Sequence, residues 1–144
     1  NFDSNEIKNG NILKLKDRIS NLHVVLTGKR RQYVISELKS HNITYSYFEM
    51  ASIKDLNELY NILNLYIVSS RVEGGPQAIL ECAATKTPII SNNVGVAKTI
   101  LSSESIISKG DVISAIPNVE HAYEKVQKYM LPQGIDSFEK LFSK

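Results

Sequence analysis

Two glutamates eight positions apart, Glu73 and Glu81, bracket the stretch Gly74-Gly75-Pro76. Proline loses little at a helix entrance, where its missing N–H would have no partner anyway. The spacing therefore predicts a helix starting near Pro76. Gly74 and Gly75 then lie at the helix mouth, where free N–H groups and the helix dipole favour an anion. Glycine also lets main chain approach that anion closely. Glu73 stands outside the mouth. Glu81 lies inside it, roughly 7–8 Å along the axis from Pro76 at 1.5 Å rise per residue. A carboxylate on each side of a phosphate-sized site suits a ligand with hydroxyls at both ends and a diphosphate between. A nucleotide-diphosphate sugar has that shape.

These residues need a strand and a helix to hold them. The apolar, β-branched run from Leu65 to Val68 reads as a buried strand delivering Glu73. Residues 22–27 read as a strand closed by a turn at Gly28, and 43–48 as a strand rich in aromatics and β-branched residues. Residues 88–91 form a short strand and 105–107 an edge strand. Helices are expected over 11–20, over 31–41 with Val34, Ile35 and Leu38 on one face, and after Ser52, which pairs with Asp55 as a capping box. That last helix should bury Ile53, Leu56, Tyr60 and Leu63. Further helices are expected over 96–101, over 111–116 up to Pro117, over 119–130 with Tyr129 and Met130 on the buried stripe, and over 136–142. Strands alternating with helices imply an α/β fold, a Rossmann-like parallel sheet with helices on both faces. In such sheets ligands bind at the carboxyl edge, where Gly28, Lys29 and Arg30 follow the first strand.

Glu73-Gly74-Gly75-Pro76 with Glu81 resembles the E-x7-E motif of retaining glycosyltransferases with the GT-B fold, the glycogen-synthase-like or group 1 superfamily. Asp55 to Tyr60 is similar to the family's helix before the motif strand, Ser69-Ser70 to its strand end, Thr87 to Ser91 to the strand after the motif helix, and Val94-Gly95-Val96 to a glycine turn. The resemblance covers about residues 22–101 well. It implies that residues 1–144 are one C-terminal, donor-binding domain, one half of a GT-B fold. Glu73 would position the transferred sugar and Glu81 would hold the ribose hydroxyls. Gly74 and Gly75 would offer N–H groups, the main chain of Leu80 would near the phosphate while its side chain packs in the core, Pro76 would belong to the donor-binding turn, and Met50 would near the nucleobase. Lys8 looks like the family's diphosphate-binding lysine, and Lys29 or Arg30 could assist. The donor would be a UDP- or GDP-sugar, and no metal or other cofactor is expected. The family's domain opens with a strand ending in arginine, which this sequence does not show, so the chain reads as a fragment whose acceptor domain lies elsewhere. On its own it should transfer little.

Composition narrows the rivals. The chain has 144 residues, 42% of them hydrophobic, with a net charge of +2. That charge is too small and too dispersed to argue for nucleic acid. One cysteine forbids an internal disulfide and fits a reducing, cytoplasmic setting, with peripheral membrane association left to the absent domain. Thr27-Gly28-Lys29 lacks the remaining residues of a P-loop, and no G-x-G-x-x-G follows a strand. His23, His41 and His121 have no ligand-spaced partners, so no metal site is readable. Cys82 reads as core. A degenerate glycosyltransferase-like binding or assembly module is the alternative. A receiver-like signalling domain would need clustered aspartates at a strand end, and none is present.

Overall fold

The structure is a computed structural model that describes residues 11–108 and 110–142. Among the described residues, four strands and seven α-helices follow one another as α1 (Asn11–Arg18), β1 (His23–Thr27), α2 (Gln32–Ser40), β2 (Thr44–Phe48), α3 (Ile53–Ile62), β3 (Tyr66–Val68), α4 (Gln77–Ala84), β4 (Ile89–Ser91), α5 (Ala97–Ile100), α6 (Val119–Val126) and α7 (Gln133–Phe142). Both ladders are parallel, as the alternation requires. It falls into two ladders instead of one continuous sheet: His23 to Thr27 against Thr44 to Phe48, and Tyr66 to Val68 against Ile89 to Ser91.

Side-chain alternation along these strands sets the layers. Val24 and Leu26 of β1 pack with Ile12 of α1 and with Val34 and Leu38 of α2. In β3, Val68 joins Tyr60, Ile79, Cys82 and the helices beyond, whereas Ile67 joins Ile90 and Leu15 of α1. Thus α1 reaches from one ladder to the other. Helix α3 begins with the expected capping box: the Ser52 hydroxyl accepts the Asp55 N–H at 3.1 Å, and the Asp55 carboxylate accepts the Ser52 N–H at 2.8 Å.

Four expectations fail for local reasons. Ile53 shares a phase with Leu56 and Tyr60 but is 88% exposed at the first residue of α3, a turn ahead of the side chains that pack on the core. Residues 105–107 make one bridge, Ser91 to Ile106, in place of an edge strand. Here buried Ser105 takes the main-chain bonds itself, donating to Ile116 O and accepting from Asn118 N–H. Residues 111–116 hold only a 3₁₀ turn, Val112–Ser114. Helix α6 tightens after Val126 into a 3₁₀ turn, Gln127–Tyr129, which eclipses side chains every third residue and rotates Tyr129 and Met130 off the buried stripe.

Candidate functional site

β3 carries the chain to the site, and Asn92 fixes its end. The Asn92 amide, from the segment after β4, donates to Ser69 O at 2.7 Å and to Ser70 O at 3.3 Å. Pro76 is buried and forms the N-cap of α4 with φ −64°, so the helix starts one residue beyond it. Proline offers no side-chain acceptor, and no side chain caps α4. The Ile79 N–H is bonded to Pro76 O at 3.0 Å, and the N–H groups ahead of it have no partner within the helix, so the mouth is open to solvent or to an anion.

Gly74 and Gly75 are exposed, and a Cβ built on either would meet nothing within 4 Å. Neither has a positive φ. The described fold therefore demands glycine at neither place. Gly95 differs. It has φ +48°, and a Cβ there would stand 2.7 Å from Pro76 Cδ and 2.9 Å from Gly75 Cα. The turn after β4 packs directly on the motif turn, and only glycine permits that approach.

The two acids have different surroundings. Glu73 is half-buried, and its Oε2 is inaccessible, with no hydrogen-bond partner among the described residues. Glu81, on α4, accepts a 2.7 Å hydrogen bond from the Tyr60 hydroxyl at Oε2. Burial, then that bond, push the Tyr60 phenol well above its usual range. Tyr66 ties the acids together. Burial raises its phenol first, and the nearby charges of Cys82, Glu81 and Glu73 raise it further, while Arg31 acts in the opposite sense. Both carboxylates and a guanidinium thus lie within electrostatic reach of one phenol. Cys82 is buried, and burial with the Glu81 charge raises its thiol far above the reactive range, as a core cysteine requires.

The other expected residues are distributed unevenly. Gly28 has φ +83° and makes the turn after β1. Lys29 and Arg30 are exposed. It is Arg31 that folds back, its Nε donating to Thr27 O at 2.9 Å and its guanidinium 3.4 Å from the Cβ position of Gly28. Met50 is 76% exposed at the carboxyl end of β2. Leu80 packs against the core around Ile79 and Cys82. Lys8 lies outside the described residues. Sequence reasoning missed Tyr60, Tyr66, Asn92 and Arg31. Only Arg31 left a signal, as a cation three residues past the strand-ending Gly28.

Parallel strands feeding helices define a Rossmann-like α/β domain, with the acid-flanked helix mouth at a strand's carboxyl end. The family model for group 1 glycosyl transferases matches residues 11–139, and the chain belongs to that family. Its chemistry is accordingly glycosyl transfer. No curated protein matches the chain.

Proposed function

We propose that this chain is the donor-binding half of a retaining glycosyltransferase that uses a UDP- or GDP-sugar. The carrying observation is Glu73 Oε2. A buried carboxylate oxygen without a donor is costly, and a sugar hydroxyl supplies that donor. Glu81, held by Tyr60 on one oxygen, retains acceptor sites for ribose hydroxyls. The open turn at Gly74-Gly75 and the uncapped mouth of α4 receive the diphosphate. In the reaction the bond from the anomeric carbon to the diphosphate oxygen breaks and its electron pair departs on the diphosphate. The acceptor oxygen bonds on the same face and gives up its proton. N–H dipoles and cations aimed at the leaving group stabilise the charge that develops there. Lys8 is the cation the family resemblance assigns, and Arg31 is a second at the end of β1. The acceptor, a glycan, lipid or small molecule, comes from a separate domain, at the cytoplasmic face of the membrane where it is a lipid.

Calorimetric titration with UDP, GDP and their sugars tests this reading. Glu73→Gln should leave affinity for the free nucleotide unchanged and weaken the sugar nucleotide about tenfold, or about 1.4 kcal/mol. Absence of any nucleotide binding would favour the degenerate module instead.

A further inference from the structure

The segment between β4 and α5 grips the motif loop at both ends. At the near end Asn92 takes successive carbonyls of the chain that leaves β3. Its N–H donates to Val68 O at 2.8 Å, and its side-chain amide donates to Ser69 O at 2.7 Å and to Ser70 O at 3.3 Å. Two carbonyl oxygens facing one side chain call for an NH2 group, because a hydroxyl or a carboxylic acid has a single donor. At the far end Gly95 lies against the motif turn, so closely that a Cβ there would stand 2.7 Å from Pro76 Cδ and 2.9 Å from Gly75 Cα. Glu73 lies between these two holds. The segment is itself anchored. Asn92 O accepts the Ser91 hydroxyl at 2.7 Å and the Val94 N–H at 2.8 Å. The Val94 and Ala97 side chains are buried in the core around Ile79.

We infer that Asn92 is a positioning residue for Glu73: it sets where that carboxylate meets the transferred sugar without touching the sugar itself. Val72, beside Glu73, is 93% exposed, so packing of its side chain does little to place the acid. The strand end at Ser69 and Ser70 is the near reference. Loss of the amide would strip a donor from carbonyls that sit at a buried and a half-buried residue. Unpaired carbonyls turn to find water, and the peptide planes that lead to Glu73 turn with them. A site held about 1 Å too loosely forfeits most of what its groups could do. Glu81 is placed by other means, on α4 with the Tyr60 hydroxyl on one oxygen. The role rests on the donor-binding reading and divides it. The segment after β4 governs the sugar end of the donor, and α3 governs the nucleotide end through Tyr60.

A double-mutant cycle decides it, read by calorimetry with UDP-glucose, UDP-N-acetylglucosamine and GDP-mannose, each against its free nucleotide. The quantity followed is the sugar preference, the ratio of those two affinities, for the pair the native chain binds most tightly. Asn92→Ala should lower the preference about fivefold while affinity for the free nucleotide holds. In the Glu73→Gln background the same change should move it by less than about twofold, because its route through the acid is gone. Asn92→Asp keeps the size of the side chain and loses the paired donors. It should reproduce Asn92→Ala, and it replaces that variant where Asn92→Ala does not fold. A role in stability alone would lower both affinities together or act equally in both backgrounds. Either of those results, or a preference that both Asn92 variants leave unchanged, overturns the inference while the donor-binding reading stands. A preference that Glu73→Gln alone leaves unchanged overturns both.

Discussion

Glycine at 74 and 75 has no use that the described fold itself explains. Neither position needs a positive φ, and neither would crowd a neighbour with a Cβ. On the proposed reading their use is closeness to the bound donor. Gly74→Ala and Gly75→Ala should therefore leave thermal stability unchanged or raise it by up to about 1 kcal/mol, through the smaller entropy of the unfolded chain. The same changes should cut affinity for a nucleotide diphosphate about tenfold. Gly95→Ala is the contrast, because its Cβ meets Pro76 and Gly75 and its φ is positive. It should cost on the order of 1–3 kcal/mol of stability. Equal effects on melting temperature across the three would remove the distinction. Tyr60→Phe removes the hydroxyl that donates to the Glu81 carboxylate while keeping the ring. Nucleotide affinity should fall by about tenfold, a net hydrogen bond to a charged group contributing roughly 1.5–3 kcal/mol. Affinity for inorganic diphosphate alone should hold, because Glu81 is assigned to the ribose. These pairings show where reading the sequence stops. The acid–glycine–acid spacing is local and legible. The Tyr60 bond joins residues 21 apart on different helices, and no periodicity marks it.

Elements were legible where local chemistry decides them. The pair Ser52 and Asp55 announces its helix, and the structure shows the reciprocal bonds. Ser52→Ala should cost about 1 kcal/mol at neutral pH. The pH dependence follows from the bonds that Ser52 makes to Asp55 through its hydroxyl and its N–H, which lower the folded carboxyl's pKa. A lowered folded value means stability that is complete above the unfolded carboxyl value of about 3.9 and lost as pH falls through the folded value. The gap in melting temperature between the native chain and Ser52→Ala should narrow in that acid window as the hydroxyl's bond to the Asp55 carboxylate is lost, and the part carried by the Asp55 N–H bond to the Ser52 hydroxyl should remain. A gap that stays constant down to complete protonation would assign the cap's effect to the hydroxyl alone. Elements failed to be legible where side chains replaced main chain as partners. Ser105 takes bonds a strand would have made, and the 3₁₀ turn after Val126 breaks a stripe that counts perfectly at helical spacing. Nor does the alternation of strands and helices reveal that the sheet parts between β1 and β3, because a parting is a property of the strands that meet and not of any one of them.

For the whole molecule, the carboxyl edge decides what the chain can do by itself. Met50, Ile53 and Val72 follow β2 and β3 there at 76%, 88% and 93% exposure, an apolar rim on the segments that leave the two strands. Catalysis of group transfer depends on excluding water and placing the acceptor against the donor. On the proposed reading this edge, among the described residues, provides one wall of such a cleft and the groups that would grip a donor, and the acceptor-binding domain provides the other wall. The 144 residues should therefore bind a nucleotide sugar weakly, in the range of about 0.1–1 mM or roughly 4–5.5 kcal/mol. They should transfer sugar no faster than the uncatalysed rate. Supplying the acceptor-binding domain should raise affinity and turnover together and bury the rim, read as loss of protease access at Val72. Measurable transfer by the chain alone would mean that the turn between Glu73 and Glu81 already encloses its donor, and the rim would then need another explanation.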